Sequence, residues 1–203
     1  MGDDLLYPPL VYMKLNILLL SLILSTISWG QIADKDYTID QDKNIVFSQI
    51  IEGLPLQKGE ILDVARRYLQ EAYKETKYKI IIDSPDKGIV AGEGVYLQFH
   101  EANYTPYAYF LDAPFTLRID AKDGRARLSV ITDYYTGKRI NINKTSEIKD
   151  RICDFAPIND EETEHKKLYT KAFSALHHKA SITIAEIAEV LRSAHTAASE
   201  DEW

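Results

Sequence analysis

Cysteine is nearly missing from this chain of 203 residues: Cys153 stands alone. It cannot form a disulfide within the chain, and a Cys₂His₂ or Cys₄ zinc site is excluded outright. The fold must be held by its hydrophobic core, in which a lone Cys reads as a small buried hydrophobe. Basic charge is in short supply too, with 24 Lys and Arg against 31 Asp and Glu for a net charge of -7. Affinity for nucleic acid rests on basic patches, so that balance argues against a nucleic-acid partner. Long apolar runs are absent beyond the N-terminal region, and no internal repeat recurs. Catalytic signatures are lacking as well. The five histidines (His100, His165, His177, His178 and His195) do not stand in HExxH spacing. Ser129 and Ser174 have no GxSxG context, and Gly92-Glu93-Gly94 lacks the further glycine and following helix of a phosphate loop. The pairs Asp83/Asp86 and Asp120/Asp123 flank turns outside any EF-hand register, and turn chemistry accounts for them. The expectation is a non-enzymatic chain without metal or cofactor.

What is present begins with an address. Met13-Lys14-Leu15-Asn16 is followed by an apolar run from Ile17 to Ile27, then by Ser28-Trp29-Gly30. A basic start, a run inside the usual span of about 7–15 residues and a small-x-small end read as a cleavable export signal. Cleavage after Gly30 leaves Gln31 as the new N-terminus. Gln31 is not the cysteine a lipoprotein needs, so membrane attachment is expected only through an uncleaved signal. Residues 1–12, with two aspartates and Pro8-Pro9, read as an extension upstream of a start at Met13.

Beyond residue 30 the chain reads as a flexible lead-in (31–43), one α+β domain (44–179), and an appended helix with an acidic tail (180–203). The 45% hydrophobic content is that of a globular protein. Residues 45–51 are β-branched and strand-like. Ile61, Val64, Ala65, Tyr68, Leu69 and Ala72 recur at helical spacing and predict an amphipathic helix over 58–74. Strands are expected at 78–82 and 89–100, the second with a β-bulge at Gly92-Glu93-Gly94 that turns Glu93 away from the face shared by Ala91, Val95 and Leu97. Residues 102–112 read as an aromatic loop carrying Tyr104, Tyr107, Tyr109 and Phe110. A hairpin over 115–132 turns at Asp123-Gly124, a strong two-residue hairpin signal. A polar stretch to residue 149 precedes a helix introduced by Pro157 and Asp160. Thr183 with Glu186 forms a capping box that opens a separate last helix. The order β-α-β-β-β-β-α plus one helix predicts a two-layer sandwich, an antiparallel meander sheet with helices on one face.

Several stretches taken together resemble a known family. They are Lys58-Gly59-Glu60-Ile61 through Tyr73, Ile80 to Asp83, Lys87 to Gly94, and Leu117 to Arg127. In order and spacing they are similar to the exported bacterial domain-of-unknown-function family 4468, over roughly residues 45–135. The resemblance implies a TBP-like fold and an exported setting in the periplasm or at the cell surface, without an assigned activity. A TBP-like fold does not import DNA binding, because function belongs to sites.

Alternation along 115–132 sends Leu117, Ile119, Ala126, Leu128 and Val130 to the helices, and Thr116, Arg118, Arg127 and Ser129 to the open face. Arg118 and Arg127, with Tyr96 according to where the bulge falls, are candidate interaction residues; the plainer reading pairs the arginines with Asp120 or other surface acids. Tyr104, Tyr107 and Tyr109 form a second candidate surface, against the plainer reading that they tuck over the core. The expected partner is an envelope protein, a glycan or an apolar ligand. Two readings stand beside the binding module: a carrier holding an apolar ligand between helix and sheet, and a hydrolase with an unrecognised site.

The export signal is directly testable. Intact-mass analysis of envelope material is expected to place the N-terminus at Gln31, within a residue or two. A mass that retains Leu15 to Trp29 means an anchor instead.

Overall fold

The protein was analysed as a computed structural model, which describes residues 36–72, 79–155 and 165–198. The chain divides into two compact units, Met1–Asp36 and Tyr37–Trp203, and all of the elements below belong to the second. The signal, with Gly30 and Gln31, lies outside the described residues, as do Pro157, Asp160 and the acidic residues after them.

Eight antiparallel strands form one open sheet. They are β1 (Thr38–Ile39), β2 (Ile45–Glu52), β3 (Lys79–Ser84), β4 (Ile89–Tyr104), β5 (Tyr107–Lys122), β6 (Arg125–Thr132), β7 (Tyr134–Asn141) and β8 (Lys144–Arg151). Two helices, α1 (Lys58–Ala72) and α2 (Lys166–Ala198), pack on it. The spatial order is β1-β2-β6-β5-β4-β3, and β7 joins β5 while β8 joins β7. The expected α+β sandwich is therefore present, with three further strands. β1 falls in the expected lead-in, and β7 and β8 occupy the stretch read as polar. Those two hide in the sequence because Tyr134–Asn141 and Lys144–Arg151 carry few apolar residues and both lie at the margin of the sheet.

β5 organises the rest. Every second residue from Tyr109 to Ala121 is buried, and the core is built on that row. One edge pairs with β4, while the other pairs with β7 over Ala108–Asp112 and with β6 over Thr116–Lys122. Pro114 sits at the changeover, where its missing N–H forfeits no ladder bond. The Thr132 hydroxyl donates to the Pro114 carbonyl at 2.7 Å, closing the gap as β6 departs.

The Gly92-Glu93-Gly94 segment corrects an expectation. Gly92, Glu93 and Gly94 pair in unbroken register with Leu117, Thr116 and Phe115, so β4 has no bulge there. Gly94 leaves room for the Phe115 ring, which stacks on Tyr96 at 4.1 Å between centroids; a Cβ at Gly94 would lie 2.7 Å from that ring. The irregularity in β4 comes after Tyr96, where Gln98 takes a φ of +43° and its N–H donates to the Asp112 carboxylate. A second one, in β3 at Ile81, lies on the neighbouring edge.

The last helix is a second correction. α2 runs without interruption through residues 179 and 180, so there is no separate appended helix. Thr183 is 5% exposed inside it, and its hydroxyl meets the Tyr96 hydroxyl at 2.8 Å. Glu186 accepts from the Tyr68 hydroxyl of α1 at 3.2 Å. The pair that reads as a cap thus works sideways, tying α2 to the sheet and to α1. The apolar stripe Leu168, Ala172, Leu176, Ala180, Ile184, Ile187 and Leu191 is buried along its length. α1 buries Ile61, Leu62, Ala65 and Leu69. Its N-terminus is fixed by Asp123, whose carboxylate accepts the Lys58 N–H at 2.8 Å across 65 residues of chain.

Two substitutions test this packing. Gly137 of β7 has a φ of +140°, and a Cβ there would lie 2.0 Å from the Phe110 carbonyl oxygen. Gly137→Ala is expected to cost about 2–3 kcal/mol of stability. Gly59→Ala in α1, where nothing lies within 4 Å, is expected to add about 0.5 kcal/mol, both read as urea midpoints at constant slope. His100 gives a pH signature. Burial first, and Lys171 second, hold its pKa below 6.5, so the folded state favours the neutral imidazole. Its contribution is complete above pH 6.5 and is lost as pH falls through the folded value. Stability curves taken above and below pH 6.5 should therefore flatten in His100→Leu; an unchanged acid slope assigns that slope elsewhere.

Candidate functional site

The helices cover one side of the sheet, and among the described residues no element covers the other. Cross-strand register arranges its residues in rows. Ile89, Asp120, Arg127 and Ile50 form one row, Ile82, Ala91, Arg118, Ser129 and Ser48 the next, and Glu93, Thr116, Ile131 and Val46 the third. Val95 and Pro114 begin a fourth. Arg118 and Arg127 are thus both on this outer face, as alternation predicts. Arg118 is held there by Asp120: its guanidinium donates to both carboxylate oxygens, with a closest approach of 2.7 Å. Asp120 raises the Arg118 pKa in return. That pair matches the plainer reading of Arg118. Arg127 stands opposite Asp120 on the ladder and is exposed.

Tyr96 is not on this face. It points to the helix side, against Phe115 and Thr183, because β4 stays regular up to that residue. The same regularity turns Glu93, Val95 and Leu97 outward, with Leu97 67% exposed. The face is consequently more apolar than expected, since Ile50 is 56% exposed and Ile82 is also exposed. The sequence held the signal: an acid in a strand marks the wet face, and Val95 and Leu97 share the parity of Glu93.

Shallow depressions crease this surface. One of about 450 Å³ is lined by Glu93, Val95, Pro114, Thr116, Ile131 and Asp133. A second, of about 890 Å³, is lined by Leu97, Phe110, Asp112, Lys138 and Ile140 among others. A third, of about 290 Å³, lies at the hairpin end beside Ile50, Lys87, Asp120, Lys122, Arg125 and Arg127. The hairpin end is therefore basic and the depression of Glu93 and Asp133 acidic, while the one at Asp112 carries Glu147, Lys138 and Lys149 besides.

The tyrosine-rich segment is no loop. β4 runs to Tyr104 and β5 starts at Tyr107, joined by a turn with a cis Thr105-Pro106 bond. Strand pairing continues to the end of the hairpin because Tyr104 and Tyr107 are themselves a cross-strand pair. Tyr109 is 2% exposed, edge-on to Tyr104 and Tyr107, with its hydroxyl 3.5 Å from His165 Nε2. The Arg139 guanidinium covers the Tyr107 ring at 5.1 Å. These rings tuck over the end of the core.

Ionisable groups elsewhere are employed in structure. Arg66 clamps Asp83 at 2.8 Å and lowers its pKa, and Asp123 caps α1. Tyr169 donates to Asp150 at 2.5 Å; burial first, then that carboxylate, push its pKa far up. The Cys153 thiol is also raised, mainly by burial. Shifts in these directions keep tyrosine and thiol protonated, the opposite of what activates a nucleophile. Among the described residues no three His, Cys, Asp or Glu side chains converge, and no helix is long and apolar enough to cross a membrane.

No family model and no curated protein matches the sequence. Solved structures do match. A DUF4468 family protein from Bacteroides ovatus aligns with a TM-score of 0.52 at 18% identity, over 75% of this chain and 88% of that one. A TBP-like protein from Parabacteroides distasonis aligns with a TM-score of 0.54 at 16% identity, over 73% of this chain and 92% of that one. At such identities the likeness concerns the fold, and the fold of this chain is the TBP-like α+β sandwich of DUF4468 proteins, as the sequence resemblance implies.

Proposed function

We propose that this chain is an exported, non-enzymatic binding module of the cell envelope, and that it binds a protein through the outer face of its sheet. The observation that carries the reading is the set of large aliphatic side chains, Ile50, Ile82, Val95 and Leu97, exposed on this face together with Arg127 and the Arg118–Asp120 pair. Exposed aliphatic side chains interspersed with charge on one sheet face suit an association surface. Arginine is enriched among the residues that dominate binding energy.

The choice of a protein follows from what the other ligands require. An apolar ligand needs a cavity between helices and sheet, and aromatic rings pack in that layer, Phe173 on Tyr37 and Phe47 and Phe99 on Tyr135. A glycan needs free aromatic faces, and the tyrosines of the β4–β5 hairpin are spent on one another, His165 and Arg139. A broad aliphatic and charged sheet suits another protein surface.

A photo-crosslinking residue at Leu97, in the full chain within the envelope, is expected to yield a protein adduct, whereas one at Arg67 on α1 is not. Absence of an adduct at Leu97, or equal adducts at both positions, overturns the reading. Arg118→Ser with Arg127→Ser should leave stability within about 0.5 kcal/mol while the Leu97 adduct weakens.

A further inference from the structure

We propose that the occupant of the outer face is a second copy of this chain, packed sheet to sheet about a two-fold axis. The inference rests on the reading of that face as a docking surface and names its partner. What points to self-association is the arrangement of charge on the strand rows.

Consider a two-fold axis that lies between the two sheets, runs across the strands and passes between the rows of Thr116 and Arg118. Each strand then faces its own copy in the opposite direction. The register places Arg127 of β6 opposite the row of Pro114, into which Asp133 extends β6. It places Lys122 of β5 opposite Asp112 of the second copy, and Ile89 of β4 opposite Val95. Each contact occurs twice, as an isologous interface requires. Both cations are exposed, and both line the depression at the hairpin end. Asp133 and Asp112 line the two depressions toward the other end of the rows. The basic end of one copy thus meets Asp112 and Asp133 of the other, with the Ile89–Val95 contact on the neighbouring strand. Any other placement of the axis along β5 loses this pairing, because the cations and the acids are spaced symmetrically about the point between residues 116 and 118.

The size of the face is adequate. Strands about 4.8 Å apart and residues about 3.3 Å apart give it roughly 700 Å², close to the ~800 Å² per partner of a standard interface. Aligned sheets pack with their strands within about 30° of one another, which this axis permits. Opposite charge across an interface steers encounter and fixes register, and like charge in its place is costly.

The test uses sedimentation of the full chain across a concentration series. The wild type is expected to pass from monomer to dimer, more weakly at high salt. Lys122→Glu with Arg127→Glu makes the face acidic, and Asp112→Lys with Asp133→Lys makes it basic. Each double variant, folded by circular dichroism, should lose at least about tenfold in self-association. Mixed in equal amounts, the two should form a heterodimer, because every facing pair is then opposite in sign. Should Asp112→Lys disturb the Gln98 turn, the single variants Arg127→Glu and Asp133→Lys serve as the complementary pair.

A wild type that stays monomeric overturns the proposal. So does a dimer indifferent to either reversal, or a pair of reversed variants that ignore each other. The crosslink separates this failure from failure of the docking face itself. A monomer whose Leu97 adduct contains a different protein overturns the dimer and keeps the face, whereas a monomer with no adduct overturns both.

Discussion

Strand β5 is the constraint on which the architecture depends. Its sixteen residues alternate without a break, so one side can be buried only if a full layer of helix lies over its length. α1 packs on β5 itself, while α2, 33 residues long, lies over the flanking strands β4, β6 and β2. The other edge of β5 must be shared between β6 and β7, since neither is long enough to cover it. Pro114 and the Thr132 hydroxyl make that sharing possible at no cost in unpaired backbone groups. Gly137 then lets β7 approach the Phe110 carbonyl more closely than any side chain would allow.

Long-range polar contacts locate the helices on this platform. The carboxylate of Asp123 reaches from the β5–β6 turn to the first N–H of α1, and the neighbouring backbone is stitched by Leu54 and Leu56 to Gly124. Arg66 binds Asp83 on the far side of the same helix. Thr183 and Glu186 anchor α2 through tyrosines on β4 and α1. Asp83, Asp123, Thr183 and Glu186 each resemble a catalytic or capping group in sequence. In three dimensions each is spent on placing one element against another, which is why acids beside turns are a poor guide to active sites.

What could be read from the sequence follows from where local pattern and tertiary demand agree. The β5–β6 hairpin and α1 were legible because their burial is periodic and their ends carry turn chemistry. β7 and β8 were not, since apart from Tyr135 neither strand buries a residue fully, and the alternation that announces a strand is lost. The break expected at Thr183 arose because a threonine and a glutamate three residues apart satisfy a local rule, and only the Tyr96 hydroxyl reveals the other use. Reading Gly92-Glu93-Gly94 as a bulge had the same origin. Glycines inside a strand read as the site of a bulge, yet Gly94 makes space for an aromatic ring from the neighbouring strand. That one reversal of parity hid half of the outer face. It separated Glu93 from Val95 and Leu97 and made the side of Tyr96 depend on where the bulge falls.

Once parity is corrected, the outer face and the buried face turn out to be consequences of the same strands. The inner rows are filled by branched and aromatic residues that leave no choice of contact. The outer rows are free of packing demands, and a solvent-facing sheet would be expected to fill them with short polar or charged groups. Ser48, Ser129 and Thr116 conform, whereas Ile50, Ile82, Val95 and Leu97 do not. β-propensity alone accounts for an occasional aliphatic residue on a wet strand. It does not account for aliphatics on three strands, nor for cations at one end of a face on a chain that is acidic as a whole. Net negative charge keeps two copies apart at random orientations, and a local alternation of sign is what lets one orientation escape that repulsion. The composition that disfavours a polyanionic partner thus leaves room for a single, oriented contact, and the outer face is where the strand register concentrates the charges able to make it.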